Sequence, residues 1–446
     1  MTYPQAVAAL TERGRFGISL GLERVARLMD EVGHPERELR GALVGGTNGK
    51  GSVVAMVRSV LGAAELRVGT MPKPHLVRYR ERIAVDGRPI PAADFARAVE
   101  RVLPAIDRVA TEIGPPTEFE ALTVAAIGEL VRRDVDLAIV EVGMGGRLDA
   151  TNVLDLGVAA ITNVQRDHER HLGRTLRAIG TEKAAIIKPG NLAVTGARGR
   201  GLAPIVERAA TLNVPLRRAG PRQPYRVELR AADWDGIVID AVTPERKLDR
   251  LRVSLLGGHQ AQNAAVALAV LDALVEDGAR RARPIALAEA VIRRGMAAVR
   301  WPGRLELLDA KRLGVGRVLL DGAHNPAGAA ALAGALAELG LRRPAMVIGA
   351  MRGKRVAAVL RALAPLAPRP VFTRVADPGA LNPEALLRTW RRVAPDGDAG
   401  RTAQTPGEAL EIAAALRRDQ APIVVAGSLY LVGAVRSIVT GEREGT

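Results

Sequence analysis

The eight residues GGTNGKGS, from Gly45 to Ser52, decide the fold of this 446-residue chain. An apolar run at 42–44 precedes them and a helical pattern at 53–57 follows, which predicts a strand, a glycine-rich loop and a helix in succession. Backbone N–H groups in such a loop, at the positive end of a helix, bind phosphate groups. We therefore predict a nucleoside triphosphate site; the alternative is a glycine-rich turn in a chain with 47 glycines.

Two side chains of this loop carry its chemistry. Lys50 is placed to reach the outer phosphates, and Ser52 is placed to bind Mg²⁺. The spacing departs from the plain phosphate-loop pattern because Gly51 separates the lysine from the serine.

The composition limits the classes of protein that the chain can belong to. Its length predicts two or three domains, and its lack of cysteine excludes disulfides, thiolate nucleophiles and cysteine-ligated zinc. Segment 1–20 carries charges at Glu12, Arg13 and Arg15, unlike a secretory signal, and no apolar run reaches membrane-spanning length. We expect a soluble, cytoplasmic protein with no membrane partner.

The formal net charge of +16 raises the question of nucleic-acid binding. Aromatic residues are only 2% of the chain, too few for base-stacking platforms, and the arginines are scattered along it. We interpret the charge as solvated surface that helps to attract anionic substrates, and we expect no nucleic-acid partner. Only seven of the 64 basic residues are lysine, so Lys50, Lys73 and Lys183, which lie in motif-like segments, draw attention.

Short apolar runs alternate with helical patterns, which is typical of a mostly parallel α/β sheet. The predicted strands are 137–143, 158–164 and 192–195, and the predicted helices are 91–113, 119–132 and 261–276.

Two further regions differ from this first series. Alternating residues within 222–256 predict a small antiparallel β insertion, and a boundary falls near residue 300. We predict a P-loop-type, mostly parallel sheet in an N-terminal ATPase domain at 1–299, and a smaller Rossmann-like α/β domain at 300–446. The strands of the second domain are predicted at 317–320, 345–348, 370–373 and 423–426.

Two side chains follow predicted strands, where α/β folds place their ligands. Glu141 ends one strand and His168 follows another, so together with the Ser52 hydroxyl they could bind Mg²⁺ beside the phosphates. The alternatives are a salt-bridged or helix-capping carboxylate and a hydrogen-bonded loop histidine. The glycine-rich segment 143–149 favours the ligand site, whereas the spacing of His168 and His171 lacks a third residue for zinc.

These residues give the chain a family resemblance along nearly its whole length. The chain resembles the folylpolyglutamate synthase/dihydrofolate synthase family of the Mur ligase superfamily. The segments that carry the resemblance are 14–17, 21–24, 46–52, 74–76, 119–123, 141–152, 167–168, 182–184, 258–260 with Asn263, 302–304, 321–326 and 427–430.

The resemblance implies a role for each matching residue. ATP would bind between the domains, with Gly46, Thr47, Asn48, Gly49, Lys50, Gly51 and Ser52 at its phosphates, Asn263 at the adenine, Arg304 at the terminal phosphate and Asp321 at the ribose. Ser52 would bind one Mg²⁺, and Glu141 with His168 a second, while His324 would lie close to the phosphates. Lys183 matches the lysine that the superfamily carbamylates with CO₂. Phe119 would line the pterin pocket, near Asp149.

The chain also departs from the family pattern. The pair before Pro74 is Pro72-Lys73, where the family has Thr-Ser with the serine on the second metal ion, and residues 353–355 read Gly-Lys-Arg instead of Asp-Lys-Asp. A protonated ammonium cannot bind a cation. Lys73 is therefore a candidate substrate-binding residue with two interpretations. It either replaces the charge of the second Mg²⁺, pairing with Glu141 or with a phosphate oxygen, or it points to solvent.

The resemblance implies an ATP-dependent, Mg²⁺-requiring amide ligase with a C-terminal glutamate-ligase domain. It would add L-glutamate to a folate-type carboxylate, dihydropteroate or tetrahydrofolate polyglutamate, through an acyl phosphate, acting as a monomer. The alternatives are a ligase of the same superfamily with another acid acceptor, and a diverged, non-catalytic nucleotide- or pterin-binding protein.

Overall fold

The computed structural model describes residues 1–13, 21–418 and 420–443, so the 14–17 motif lies outside the described residues. Two sheet-bearing units follow each other along the chain, and a three-stranded sheet lies between them in sequence. The helices are α1 Tyr3–Thr11, α2 Glu23–Glu31, α3 Lys50–Ala63, α4 Ala92–Ile113, α5 Glu118–Arg132, α6 Glu169–Leu172, α7 Leu176–Ala184, α8 Ala203–Thr211, α9 Gln260–Arg280, α10 Glu289–Ala298, α11 Pro326–Glu338, α12 Val356–Leu363, α13 Pro383–Val393, α14 Pro406–Leu416 and α15 Leu429–Thr440.

The strands alternate with these helices through most of the chain. They are β1 Gly41–Gly45, β2 Val68–Met71, β3 Ala84–Val85, β4 Arg88–Pro89, β5 Leu137–Glu141, β6 Gly157–Ile161, β7 Leu192–Thr195, β8 Leu216–Arg218, β9 Arg226–Asp233, β10 Gly236–Val242, β11 Lys247–Val253, β12 Arg304–Ala310, β13 Gly316–Asp321, β14 Ala345–Ile348, β15 Arg369–Phe372, β16 Arg401–Thr402 and β17 Ile423–Ala426.

The first sheet has eight strands in the order β4-β3-β2-β5-β1-β6-β7-β8. Every neighbouring pair from β2 to β8 is parallel, and β3 and β4 add an antiparallel edge. Leu43 faces one buried layer while Ala42 and Val44 face the other, as the two-residue period of a strand dictates. The predicted mostly parallel α/β fold is therefore confirmed.

Different elements cover the two faces of this sheet. One face packs against α1, α2, α4, α5, α7 and α8. The other packs against α3, α9, α10 and the antiparallel sheet β11-β10-β9. Residues 226–253 thus form the antiparallel strands that their alternating pattern predicts.

The second sheet has six strands in the order β12-β13-β17-β14-β15-β16. Every pair from β13 to β16 is parallel, while β12 pairs antiparallel with β13 at the edge. Helices α11 to α13 pack on one face and α14 and α15 on the other. Leu76 of the first unit joins this second core and lies against Gly303 and Gly433, so the loop after β2 touches both units.

Candidate active site

A cavity of about 700 Å³ lies where the carboxyl ends of the parallel strands face the second unit. Every candidate site residue from the sequence lines this cavity. These residues are Gly46, Thr47, Asn48, Gly49, Lys50, Gly51, Ser52, Lys73, Phe119, Glu141, Asp149, His168, Lys183, Asn263, Arg304, Asp321 and His324. Parallel strands bring the loops that follow them to one edge, which explains why segments far apart in sequence meet here.

The loop after β1 opens onto the cavity at the N-terminus of α3. Gly46 and Gly49 have φ angles of 139° and 80°, and a Cβ on either would run into a neighbouring side chain. A Cβ on Gly51 would lie 2.7 Å from the Trp301 ring, which accounts for the extra glycine between Lys50 and Ser52. Glycine at these positions therefore lets the loop pass close to its neighbours at the positive end of a 14-residue helix.

Asn48 fixes the shape of this loop. Its backbone N–H donates to the Asn163 side-chain oxygen at 3.0 Å, and its carbonyl accepts from Thr162 Oγ1 at 2.6 Å and Asn163 Nδ2 at 2.9 Å. Asn325 of the second unit donates through Nδ2 to Asn48 Oδ1 at 2.9 Å. The phosphate-loop geometry is thus tied both to the end of β6 and to the second unit.

A cation and a carboxylate face each other at the centre of the cavity. Lys50 Nζ lies 3.8 Å from Glu141 Oε1 and donates to the Thr47 carbonyl at 3.3 Å. Burial raises the pKa of Glu141, and the charges of Lys50 and Arg304 oppose that shift. The second carboxylate oxygen, Glu141 Oε2, is buried and has no hydrogen-bond partner among the described residues. It is an acceptor left open for a cation or a ligand donor.

Lys183 lies beneath the phosphate loop, on α7. Its side chain is only 3% exposed, and Nζ donates to the Gly46 carbonyl at 2.9 Å. Burial, reinforced by the charge of Lys50, lowers the pKa of Lys183 to about 7. A large fraction of this amine is therefore neutral near neutral pH, whereas an ordinary lysine is almost wholly protonated.

Asp167 joins the two units. Lys354 Nζ donates to Asp167 Oδ1 at 2.9 Å, Asn325 Nδ2 donates to Oδ2 at 3.1 Å, and His324 Nε2 lies 3.4 Å from Oδ2. Burial opposes ionisation of Asp167, but hydrogen bonds from His324 and Lys354 hold its pKa well below the usual range. Sequence reasoning gave Asp167 no role of its own, although its place after β6 was the available signal.

His168 follows Asp167 in the left-handed conformation, with φ at 51°. Burial, helped by the charge of Lys354, lowers the pKa of His168 to about 4. The imidazole is therefore neutral at neutral pH and has a lone pair available, as a metal ligand or a hydrogen-bond acceptor requires.

Residues of the second unit and of α9 form the opposite wall. The carboxylate of Asp321 accepts from the backbone N–H groups of Leu305 at 3.1 Å and Ala323 at 2.9 Å. Arg304 donates through Nη1 to the Gly303 carbonyl at 3.1 Å, and Asn263 donates to Gln260 Oε1 at 2.8 Å. Asp321 thus shapes the turn after β13, and its role toward a ribose stays a prediction.

A second compartment of the same cavity is the space around the aromatic ring of Phe119. Thr117 caps α5, which places Phe119 in the first helical turn, facing the cavity. The carboxylate of Asp149 lines this space but is held within its own loop, since Oδ2 accepts from Met144 N at 2.8 Å and Oδ1 from Thr151 N at 3.1 Å. Its role in substrate binding stays a prediction, whereas its role in shaping the loop is visible.

Two cations border this compartment. Lys73 Nζ lies 2.6 Å from the centroid of the Phe119 ring, and burial, opposed by the charge of Asp149, lowers its pKa to about 7. Arg82 donates through Nε to His75 Nδ1 at 2.9 Å. Burial and Arg82 together lower the pKa of His75 to about 3, so this imidazole is neutral. Sequence reasoning missed Arg82 because one arginine in so basic a chain carries no signal.

The fit of the site to Mg²⁺ rests on its oxygen atoms. The open Glu141 Oε2, the buried Ser52 hydroxyl and a neutral His168 are suitable ligands at one cavity, although imidazole is a less usual ligand for this ion. Within the described ranges, no group of three or more His, Cys, Asp or Glu side chains forms a ready metal cluster. Any Mg²⁺ would therefore depend on phosphate oxygens and water for most of its ligands.

Known families match both units. Residues 44–271 match the family described as Mur ligase middle domain, and residues 303–429 match Mur ligase, glutamate ligase domain. The chain is 36% identical to the dihydrofolate synthase/folylpolyglutamate synthase of Mycobacterium tuberculosis, over 94% of this chain and 90% of that protein. It is 35% identical to a probable bifunctional folylpolyglutamate synthase/dihydropteroate synthase of Haloferax volcanii, and spans about half (51%) of that longer protein.

Solved structures are similar over almost the whole chain. Mycobacterium tuberculosis folylpolyglutamate synthase complexed with ADP and AMPPCP superposes with a TM-score of 0.89 at 32% identity, covering 98% of this chain and 100% of that one. Escherichia coli FolC in complex with DHPP and ADP superposes with a TM-score of 0.83 at 28% identity, covering 98% of each chain. In the described part of the chain, no helix combines the length and apolarity needed to cross a membrane.

Proposed function

This chain belongs to the folylpolyglutamate synthase/dihydrofolate synthase family of Mur ligases, and from that premise we propose that it joins L-glutamate to a folate-type carboxylate at the expense of ATP. One observation carries the proposal beyond family membership. A single cavity connects a phosphate-binding loop with an aromatic-walled compartment that is lined by Phe119. A nucleotide and a flat, ring-bearing acid can therefore meet in one space.

The chemistry needs both halves of this cavity. A carboxylate is a poor acyl donor, so its oxygen first attacks the γ-phosphorus of ATP, which gives an acyl phosphate and ADP. The amine of L-glutamate then attacks the acyl carbon, phosphate leaves, and an amide forms as the amine loses its proton. Because an acyl phosphate hydrolyses readily, the enclosing second unit serves to keep water out.

The residues around the loop supply the positive charge that this transfer requires. Lys50 and the N-terminal amides of α3 would hold the phosphates, with Arg304 and His324 beside them. Ser52, Glu141 and His168 would hold Mg²⁺, which when bound neutralises charge on the transferred phosphoryl group. Asn263 and Asp321 would contact the adenine and the ribose.

Lys183 is suited to reaction with CO₂. Only the neutral amine can form a carbamate, and burial gives Lys183 a pKa of about 7. The product would be an anion below the phosphate loop, in reach of a metal ion. Arginine, which stays protonated, could not be converted in this way.

The domain limits are part of the proposal. We place the boundary between the ATPase domain at 1–299 and the glutamate-ligase domain at 300–446, and the two matched family ranges end and begin on either side of it. Action as a cytoplasmic monomer is a further prediction, which size-exclusion chromatography and cell fractionation can test.

The identity of the acid acceptor can be tested directly by assaying candidate acids as substrates. With ATP, Mg²⁺ and L-glutamate, we expect dihydropteroate, tetrahydrofolate or both to gain one glutamyl residue, detected by mass spectrometry. Non-pterin acids serve as controls and should give no product. The departures at Lys73 and at 353–355 favour a second candidate, a ligase for another acid, which product from a non-pterin acid alone would support. Nucleotide binding without turnover of any acid would instead indicate a non-catalytic protein.

A further inference from the structure

The ammonium of Lys73 lies inside the cavity, near two carboxylates but without a direct ion pair to any described residue. The side chain is half-buried, and Nζ rests on the face of Phe119, 2.6 Å from the ring centroid. Among residues 1–13, 21–418 and 420–443, no side chain forms an ion pair within 4.0 Å of it. Removing a charged group from water costs free energy. An aromatic face offsets only part of that cost, whereas an anion that enters the site offsets more of it.

The neighbouring carboxylates are already engaged. Asp149 accepts hydrogen bonds from Met144 N, Thr151 N and Thr151 Oγ1. Glu141 lies 3.8 Å from Lys50, on the phosphate side of the cavity. The charges of both carboxylates favour the protonated form of Lys73, but neither carboxylate forms an ion pair with it within 4.0 Å. The place of a direct anionic partner is therefore open to a ligand.

The fold reserves space for this ammonium. A Cβ on Gly143 would overlap the position of Lys73 Nζ, so the glycine leaves room for it. Phe119 lies below Nζ, and Arg82 lines the same part of the cavity. The ammonium is thus held against the face of the Phe119 ring.

We propose that Lys73 binds the reacting carboxylate of the acid acceptor, while the ring system of that acceptor occupies the compartment lined by Phe119. This inference rests on the proposed function and names the group that selects a carboxylate. An ammonium is a compact point-charge donor, suited to one carboxylate oxygen while the other oxygen attacks phosphorus. It gives a role to the Pro72-Lys73 pair, which departs from the family pattern.

The contact between Lys73 and the acceptor carboxylate can be tested by comparing the parent and Lys73→Met proteins, each with an acid ligand and its neutral carboxamide. Isothermal titration calorimetry, with AMPPCP present to prevent turnover, would measure the binding of dihydropteroate and of its neutral carboxamide. The parent protein should bind the acid at least about ten-fold more tightly than the carboxamide, as a charge-assisted hydrogen bond predicts. Lys73→Met, which keeps the length and apolar stem, should lose that preference by weakening only the acid. If the Lys73→Met protein fails to fold, the Lys73→Gln protein is used for the same measurement.

Three results would overturn the proposal. If the Lys73→Met protein still prefers the acid, or if its affinities for acid and carboxamide fall equally, Lys73 is a structural residue. A loss of ADP affinity with unchanged acid binding assigns Lys73 to the phosphates. If the parent protein binds neither dihydropteroate nor tetrahydrofolate, the pterin-acid function itself is wrong and this inference fails with it. Lys247→Met, at an exposed lysine far from the cavity, is the matched control and should change neither affinity.

Discussion

Replacing Lys50 with alanine should abolish ligation and leave the fold intact. The side chain contributes to no hydrophobic core; it faces the cavity, 3.8 Å from Glu141, at the start of α3. Loss of one group that stabilises charge in a transition state typically costs about 10²- to 10³-fold in turnover. We expect at least that loss of ADP release, with a melting temperature close to the parent value.

The matched control for Lys50 is Lys311→Ala. Lys311 is an exposed lysine, paired with Asp309 at 3.7 Å. The control should keep the parent rate. A Lys50→Ala enzyme with unchanged turnover would remove Lys50 from the phosphate site, and one that does not fold would make it a structural residue.

Substitution of Lys183 should also remove most of the activity, and alanine and arginine should be equally damaging. Lys183→Arg keeps the positive charge but cannot form a carbamate at neutral pH. If the carbamate is the working form, a short-chain acid anion such as acetate should restore part of the activity of Lys183→Ala. It should restore none to Lys183→Arg, where the side chain still fills the space. A fully active Lys183→Arg enzyme would show that carbamylation is not needed.

The pH dependence of reactivation gives a second test of Lys183. Burial lowers its pKa to about 7, so the neutral amine that attacks CO₂ becomes abundant as the pH rises through 7. After removal of CO₂ at low pH, the initial rate of reactivation at a fixed concentration of dissolved CO₂ should increase across that range. A rate that stays low until pH 10 would mean that Lys183 titrates as an ordinary exposed lysine.

The local parts of the fold could be predicted from sequence because their signals are local. The strand β1, its glycine loop and α3 follow directly from GGTNGKGS, and the buried strands β5, β6 and β7 are short apolar runs. The proximity of Glu141 and His168 in one cavity could also be predicted, because the carboxyl ends of parallel strands lie at the same edge of a sheet.

Other features depend on tertiary contacts that leave no periodic signal. Strand β12 was not predicted because its edge position leaves it partly exposed, without an apolar run. The position of the Asp149 carboxylate is set by the backbone amides of Met144 and Thr151. The bridge from Asp167 to Lys354 joins residues 187 positions apart, so only the assembled fold shows it.

The central claim is that the acceptor carboxylate is activated by ATP before glutamate adds. The most direct test uses dihydropteroate or tetrahydrofolate whose reacting carboxylate carries heavy oxygen. With ATP, Mg²⁺ and L-glutamate, each turnover should release one ADP and one phosphate containing a single labelled oxygen, because the C–O bond of the acyl phosphate breaks. Phosphate without label, or ADP release that does not depend on the acceptor, would contradict the account.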